Sequence, residues 1–227
     1  NGFTQVKGEF VLASPARTAR ISAVNADELA PIRVVEDGPV RTILEAVFEY
    51  NESAACVRYT IPKEGTQIGI NIRLFMMERD TMLKLSFPTV FENAHYSGKT
   101  AYGREKMRTD GNEAVAQSWV MLDDGKQALT LINTGTYGSS CDGSEIRMSL
   151  VRTAAYCAHP WKGREILQQD RLTPRIDLGE RLFDFYLDAG DLADRSANVD
   201  FESAYIHQKP MAVCFFPPQE GEKPKSF

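Results

Sequence analysis

The sequence predicts an all-β domain in which antiparallel strands stack as a sandwich. Apolar and polar residues alternate over several strand-length runs, Asp-Gly turn signals separate these runs, and helical periodicity sustained over three turns is hard to find. With 227 residues, 43% hydrophobic and 25% charged, the chain has enough apolar material for one large core. One domain is expected over residues 1–216, followed by a linker rich in Pro, Gly, Glu and Lys over residues 217–227.

The clearest strand covers residues 68–74, where isoleucine or leucine occupies every second position and Gly69, Asn71 and Arg73 lie between. Two further runs show the same alternation, and the others are rich in β-branched, aromatic and aliphatic residues. In chain order, the expected strands are 40–50, 55–61, 68–74, 83–87, 115–122, 128–133, 145–151, 181–187 and 211–216.

Turns are expected where Asp-Gly falls between these strands, because Asp and Gly tolerate the backbone angles of tight hairpins. Such turns lie at 36–39, 110–112, 123–126 and 142–144, and 135–138 is expected to be a hairpin connection as well. The only expected helical piece is a short one at 163–170.

Composition excludes several classes of function. A formal net charge of -5 disfavours a nucleic-acid partner, because polyanions are attracted by basic surfaces. No apolar run approaches the roughly 20 residues of a membrane helix, and the N-terminus lacks a signal-peptide pattern. Asn1, Gly2 and Phe3 resemble the interior of a longer protein rather than a natural start.

The four cysteines, Cys56, Cys141, Cys157 and Cys214, are widely spaced and contain no C-x-x-C pair. We expect buried or partly buried free thiols, which favour a reducing compartment such as the cytoplasm.

Asp177 and Glu180 are the first acids to test as a glycosidic pair, since that chemistry requires two carboxyl groups. The arginines beside them favour an ion-paired turn instead. His95, His159 and His207 lack metal-ligand spacing, so no metal site is expected in this chain.

Among these histidines, His159 lies in an expected loop, where its more ordinary role is to stabilise the loop by a hydrogen bond. Trp119 falls within an apolar strand and is expected in the core, whereas Trp161 is the better candidate for exposure.

Several short motifs follow one another between residues 34 and 189. Each is weak alone; they lie at 36–41, 78–80, 83–88, 102–105, 112–113, 117–119, 131–133, 136–138, 149–152 and 177–185. In this order they resemble the C-terminal β-domain of family 38 glycoside hydrolases, the α-mannosidases. Thr136, where many members have Lys, and an incomplete signature around Tyr102 indicate a divergent, bacterial branch.

The resemblance implies an antiparallel β-supersandwich like that of galactose mutarotase, packed beside a separate catalytic domain upstream in the same chain. That domain would hold the aspartate nucleophile and a divalent metal, usually zinc, so no catalytic residue and no cofactor are assigned to this chain. The full-length protein would be a retaining α-mannosidase acting on mannose-containing carbohydrate.

The resemblance also implies that the β-domain reaches the rim of the active site, and we expect the loop that follows residue 152 to be the part that does so. The substrate-rim candidates are Arg152, His159, Asp170 and Arg171, which would bind sugar hydroxyls by hydrogen bonds. An arginine–carboxylate network that orders a long loop is the alternative for these four residues.

Two other functions stay open. A free-standing mutarotase or epimerase would need a histidine and a carboxylate converging in one cleft on a concave sheet face. An independent carbohydrate-binding module would need a row of exposed aromatic side chains, for which Tyr156 and Trp161 are the candidates. Assembly of the chain into a homo-oligomer is a further expectation.

Overall fold

The computed structural model describes residues 8–155 and 173–208, which contain fourteen strands and two helices. In chain order these are β1 (Val11–Leu12), α1 (Pro15–Ile21), β2 (Ile32–Asp37), β3 (Arg41–Tyr50), β4 (Ser53–Pro62), β5 (Ile68–Met76), β6 (Met82–Pro88), β7 (His95–Thr100), β8 (Gly103–Lys106), β9 (Asp110–Val115), β10 (Trp119–Asp123), β11 (Gln127–Asn133), β12 (Gly138–Asp142), β13 (Glu145–Arg152), β14 (Gly179–Asp191) and α2 (Leu192–His207).

The strands form two antiparallel sheets, as the all-β prediction requires. The larger sheet has ten strands in the order β1-β3-β4-β5-β14-β11-β10-β7-β8, with β2 also paired to β3. The smaller sheet has four strands in the order β6-β13-β12-β9.

The core lies between the two sheets and follows the alternation seen in the sequence. Ile70, Ile72 and Leu74 of β5 point into it, and Ile146 and Met148 of β13 meet them from the smaller sheet. Burial of each such side chain stabilises the fold by about 1.5–3 kcal/mol.

Helix α2 covers the outer face of the larger sheet at β10, β11 and β14. Val199 of the helix packs against Trp119, Met121 and Ile132 in a second, smaller apolar cluster. Trp119 is fully buried, which confirms its expected place in a core.

Seven of the expected strands are confirmed, with bounds shifted by one to four residues: 40–50, 55–61, 68–74, 83–87, 128–133, 145–151 and 181–187. The expected turns at 36–39, 123–126 and 142–144 also join antiparallel neighbours, β2–β3, β10–β11 and β12–β13. The strand at 211–216, the helix at 163–170 and the linker at 217–227 lie outside the described residues.

Three local predictions are wrong. The run 115–122 is not one strand, because β9 ends at Val115 in the smaller sheet and β10 begins at Trp119 in the larger one. The segment 110–112 begins β9 instead of forming a turn between strands; Gly111 has φ +76° there, next to a register shift in the pairing with β12. The segment 135–138 crosses from β11 to β12, which belong to different sheets, so it is not a hairpin.

The absence of a long helix was also predicted wrongly, since α2 has 16 residues. Neither helix in the described part of the chain is both long and apolar enough to cross a membrane.

Cys56 is half-buried and Cys141 is buried, and both are free thiols, as expected. Burial and neighbouring carboxylates raise the pKa of each thiol to about 11. Cys157 and Cys214 lie outside the described residues.

Candidate functional site

The candidate site is the end of the sandwich where β13 and β5 end and where β6 and β14 begin, which we call the rim end. Arg152 is the last residue of β13, is exposed, and lies opposite Met82 at the start of β6. His159, Asp170 and Arg171 belong to the segment 156–172, outside the described residues, so their role at the rim stays a prediction.

Thr153, next to Arg152, ties the end of β13 to the connection between β5 and β6. Its side chain is fully buried, and its hydroxyl donates to the Glu78 carbonyl at 2.6 Å and accepts from the Thr81 N–H at 3.1 Å. The Thr153 carbonyl in turn accepts from the Asp80 N–H at 2.9 Å. A buried hydroxyl with this many partners holds the backbone on both sides of it in place.

Arg175 ties the chain that leads into β14 to the same connection. Its Nε and Nη2 donate to the two carboxylate oxygens of Asp80 at 3.0 and 3.1 Å, and its side chain is only 7% exposed. The Ile176 N–H donates to the Ala154 carbonyl at 3.1 Å. Fork-to-fork pairing of this kind is among the most directional of ion pairs, so residues 153–155 and 173–176 are both held against residues 78–81.

The β3–β4 turn completes the rim end. Asn51, which has φ +48°, donates from Nδ2 to one carboxylate oxygen of Glu78 at 3.2 Å, and the Ser53 hydroxyl donates to the other at 3.4 Å. The Met77 N–H donates to the Ser53 oxygen at 2.9 Å. Glu78 is therefore engaged in holding the turn.

Asp177 and Glu180 are both ion-paired, as the sequence favoured. Asp177 has φ +57° and lies 3.4 Å from Nη2 of Arg181. Glu180 accepts from Nε of Arg73 on the neighbouring strand at 2.5 Å. These contacts describe an ordered turn at the start of β14 and not a pair of carboxyl groups facing a common space.

His95 has a carboxylate partner, which bears on the epimerase alternative. Its Nδ1 lies 3.3 Å from Oδ1 of Asp123, and the same oxygen accepts the Gly125 N–H of the β10–β11 turn at 3.0 Å. The strand register places this pair near Asp191, the last residue of β14. The rim end lies at the other end of that 13-residue strand, at Gly179. His95 begins β7 and Asp123 ends β10, and Asp123 stabilises the β10–β11 turn by accepting the Gly125 N–H.

Exposed aromatic side chains occur where the sequence did not indicate them. Phe201 and Tyr205 lie one turn apart on α2 and are 74% and 72% exposed, and Phe75 near the rim end is 48% exposed. Tyr156 and Trp161, the aromatic pair considered from the sequence, lie outside the described residues. The sequence signal that could have indicated them is an amphipathic helix with Val199 on its buried face, and a single valine is a weak signal.

Metal ligands do not cluster in the part of the chain that the structure covers. No group of three or more His, Cys, Asp or Glu side chains there is placed to hold a metal ion. The described contacts at the rim end are hydrogen bonds and charge pairs.

Comparison with solved structures finds the same fold in much larger proteins. An α-mannosidase from Enterococcus faecalis V583 aligns over 78% of this chain and 24% of its own, with 14% identity and a TM-score of 0.61. A glycosyl hydrolase family 38 protein from Enterococcus faecalis aligns over 77% and 24%, with 17% identity and a TM-score of 0.63. The chain thus spans about a quarter of the length of each.

A galactose mutarotase related enzyme from Lactobacillus acidophilus aligns over 71% of both chains, with 10% identity and a TM-score of only 0.37, which supports no inference. No curated protein matches the sequence. The model of the glycosyl hydrolases family 38 C-terminal domain matches residues 12–161, which is most of the chain from β1 to beyond β13. The chain therefore belongs to the family of glycosyl hydrolase family 38 C-terminal domains.

Proposed function

We propose that this chain is the non-catalytic β-domain of a retaining α-mannosidase, whose upstream domain in the same polypeptide performs the chemistry. The observation that carries the proposal is the family match over residues 12–161, in a chain that spans only about a quarter of two larger glycosidase structures. In this proposal the nucleophile and a divalent metal, zinc, belong to the upstream domain.

The rim end supports a role in binding substrate. Its backbone is held by buried hydrogen bonds and by the Arg175–Asp80 pair, so that a side chain such as Arg152 projects from a rigid support. Rigid support is what a hydrogen-bonding side chain needs to select a sugar hydroxyl. We propose that Arg152, with His159, Asp170 and Arg171, contacts mannose-containing carbohydrate at the active-site rim.

Activity measurements on the full-length protein and on the 227-residue chain test the first part of the proposal. The full-length protein should hydrolyse an aryl α-mannoside with retention of configuration, and the chain alone should not. Titration of the chain alone with mannose oligosaccharides should show no saturable heat. Hydrolysis or mannose epimerisation by the chain alone would contradict a non-catalytic role, and saturable heat would indicate an independent binding module.

Substitution of Arg152 in the full-length protein tests the rim role. Arg152→Ala should raise KM about tenfold, the equivalent of one charged hydrogen bond. Arg108→Ala is the matched control, because Arg108 is an exposed arginine beside Asp110, at the opposite end of the smaller sheet from the rim end. Unchanged KM and kcat with a lower midpoint would show that Arg152 only orders the loop.

A further inference from the structure

The ten-stranded sheet continues past the four-stranded sheet on the side of β1 and β2. The core between the sheets includes buried residues of β4, β5, β14, β11, β10 and β7, but it takes only the partly buried Phe48 from β3 and no described residue from β2. Every residue of β2 except Arg33 is exposed. The larger sheet therefore has a margin that the smaller sheet does not cover.

The strand register shows which way the side chains of this margin point. Directly opposed residues of antiparallel strands share a face. Three rows of opposed residues run from the core to the margin: Ala55–Phe48–Leu12, Val57–Ala46–Ile32 and Tyr59–Leu44–Val34. Since Ala55 and Val57 are buried in the core, Leu12, Ile32 and Val34 point to that same, core-facing side.

These three side chains are exposed to solvent in the described structure. Leu12 is 45% exposed, Ile32 54% and Val34 58%, and we call the three together the overhang. They oppose Phe48, Ala46 and Leu44, which follow one another at every second position of β3, so they form one continuous apolar strip. Within the described residues, β2 pairs only with β3, which leaves its other edge open. Open apolar edges of this kind favour association with another protein surface.

The two acidic side chains at the end of the strip are already paired within the chain. At the end of β2, Glu36 binds Arg41 at 2.8 Å and Asp37 binds Lys63 at 2.7 Å. A partner that docks here needs an apolar surface and not a compensating charge.

The path of the chain favours one kind of partner. Phe10, directly before β1, lies against Tyr50 at the end of β3 with ring centroids 5.8 Å apart, and β1 then pairs with β3 beside β2. A domain that precedes this one in the polypeptide is therefore tethered next to the overhang. Tethering raises the effective concentration of such a domain at the overhang, to the order of millimolar for a short flexible tether, and so favours it over a second copy free in solution.

We propose that the overhang is the docking surface for the upstream domain of the same polypeptide. The inference rests on that part of the proposed function which joins this chain to an upstream domain. It deepens the proposed function because a docked upstream domain would have its position relative to the rim end set by this contact.

Hydroxyl-radical footprinting of the full-length protein and of the 227-residue chain tests the docking. Residues 32–35 are Ile, Arg, Val and Val, so no Met, Cys or aromatic side chain dominates the modification of this segment. Burial in an interface core should slow its modification at least about fivefold in the full-length protein. Equal rates in the two proteins would overturn the proposal.

A variant pair tests whether the contact is specific. Val34→Asp should shift the thermal midpoint of the isolated chain by less than about 2 °C, because the side chain is already largely exposed. In the full-length protein it should return the modification of residues 32–35 to the rate of the isolated chain. Leu182→Asp is the control, since Leu182 is 66% exposed on the opposite face of the same sheet and should leave that rate unchanged.

Two further outcomes separate this inference from the proposed function. Protection that grows with the concentration of the isolated chain would assign the overhang to a second copy and overturn the proposal. A full-length protein that protects the overhang but hydrolyses no α-mannoside would refute the proposed activity and leave the docking surface supported.

Discussion

At the scale of single residues, Glu45 is the most deeply buried charged residue in the described structure. It lies on β3 with its side chain only 3% exposed. Arg58 Nε donates to its Oε2 at 2.8 Å, and Arg33 donates to its Oε1 from Nε at 3.0 Å and from Nη2 at 2.5 Å. Burial alone would raise the pKa of Glu45, but the hydrogen bonds from Arg58 and Arg33 outweigh it and hold the pKa below its usual value of 4.5.

Glu45→Gln should therefore lower the free energy of unfolding by about 2 kcal/mol at pH 7, because two arginines lose their charged acceptor. The partial exposure of both arginines keeps the loss below that of a wholly buried pair. Urea denaturation measures it. Glu36→Gln, in an exposed pair with Arg41, is the control and should not move the denaturation midpoint.

The same residue gives a pH dependence whose sign follows from the lowered pKa. A carboxyl group whose folded pKa lies below its unfolded pKa stabilises the fold fully above the unfolded value, here about 4.5, and less as the pH falls through the folded value. The stability difference between the native protein and Glu45→Gln should thus shrink as the pH is lowered below about 4.5. A difference that stays constant between neutral and acidic pH would contradict this assignment.

At the scale of elements, Asp200 connects α2 to the larger sheet. Its carboxylate accepts from Lys99 Nζ at 2.8 Å, from Trp119 Nε1 at 2.9 Å and from Arg104 at 3.3 Å. The Arg104 guanidinium also lies 5.2 Å from the centre of the Trp119 ring. The Asp200 side chain therefore links α2 to three strands of the larger sheet, β7, β8 and β10.

Asp200→Ala should reduce stability by about 1 kcal/mol, because it leaves the buried indole N–H unpaired while Lys99 and Arg104 keep access to water. Hydrogen exchange should accelerate selectively in the amides of α2. Phe201→Ala, at the neighbouring and 74% exposed position, is the control and should change neither measurement. Unaltered exchange in Asp200→Ala would show that apolar packing alone holds the helix.

The elements that the sequence predicted are those with a strong apolar period, such as β4 and β5, whose buried side chains face one core. Two of the missed strands are short and polar. Strand β8 reads Gly-Arg-Glu-Lys and β12 reads Gly-Ser-Ser-Cys-Asp, so their pairing depends on neighbours distant in sequence and not on their own pattern. Helix α2 was missed because Phe201 and Tyr205 lie on its exposed face and blur its amphipathic pattern.

For the candidate site, the sequence indicated Arg152 through its motif and the ion pairing of Asp177 and Glu180 through adjacent arginines. It did not indicate the Arg175–Asp80 pair, whose members lie 95 residues apart. A single sequence carries no local signal for such a contact, because it arises only when the two sheets assemble.

At the scale of the whole molecule, the two sheets are joined by more than apolar contact. Tyr96 of β7 in the larger sheet donates its hydroxyl to Ser139 Oγ of β12 in the smaller sheet at 2.7 Å, and both residues are fully buried. Burial raises the pKa of Tyr96, so the phenol stays protonated and able to donate. Because both residues are fully buried, neither hydroxyl is exposed to solvent that could replace its partner.

Tyr96→Phe and Ser139→Ala should each cost about 1–2 kcal/mol, since each leaves one hydroxyl buried without its partner. The double variant removes both hydroxyls and should cost less than the sum, with a coupling of about 1 kcal/mol in a double-mutant cycle measured by urea denaturation. Tyr102→Phe, at a fully exposed tyrosine, controls for the loss of a phenol and should be neutral. Strictly additive losses in the free energy of unfolding would mean that this hydrogen bond does not couple the two sheets. The shared apolar core alone would then account for their unfolding as one unit.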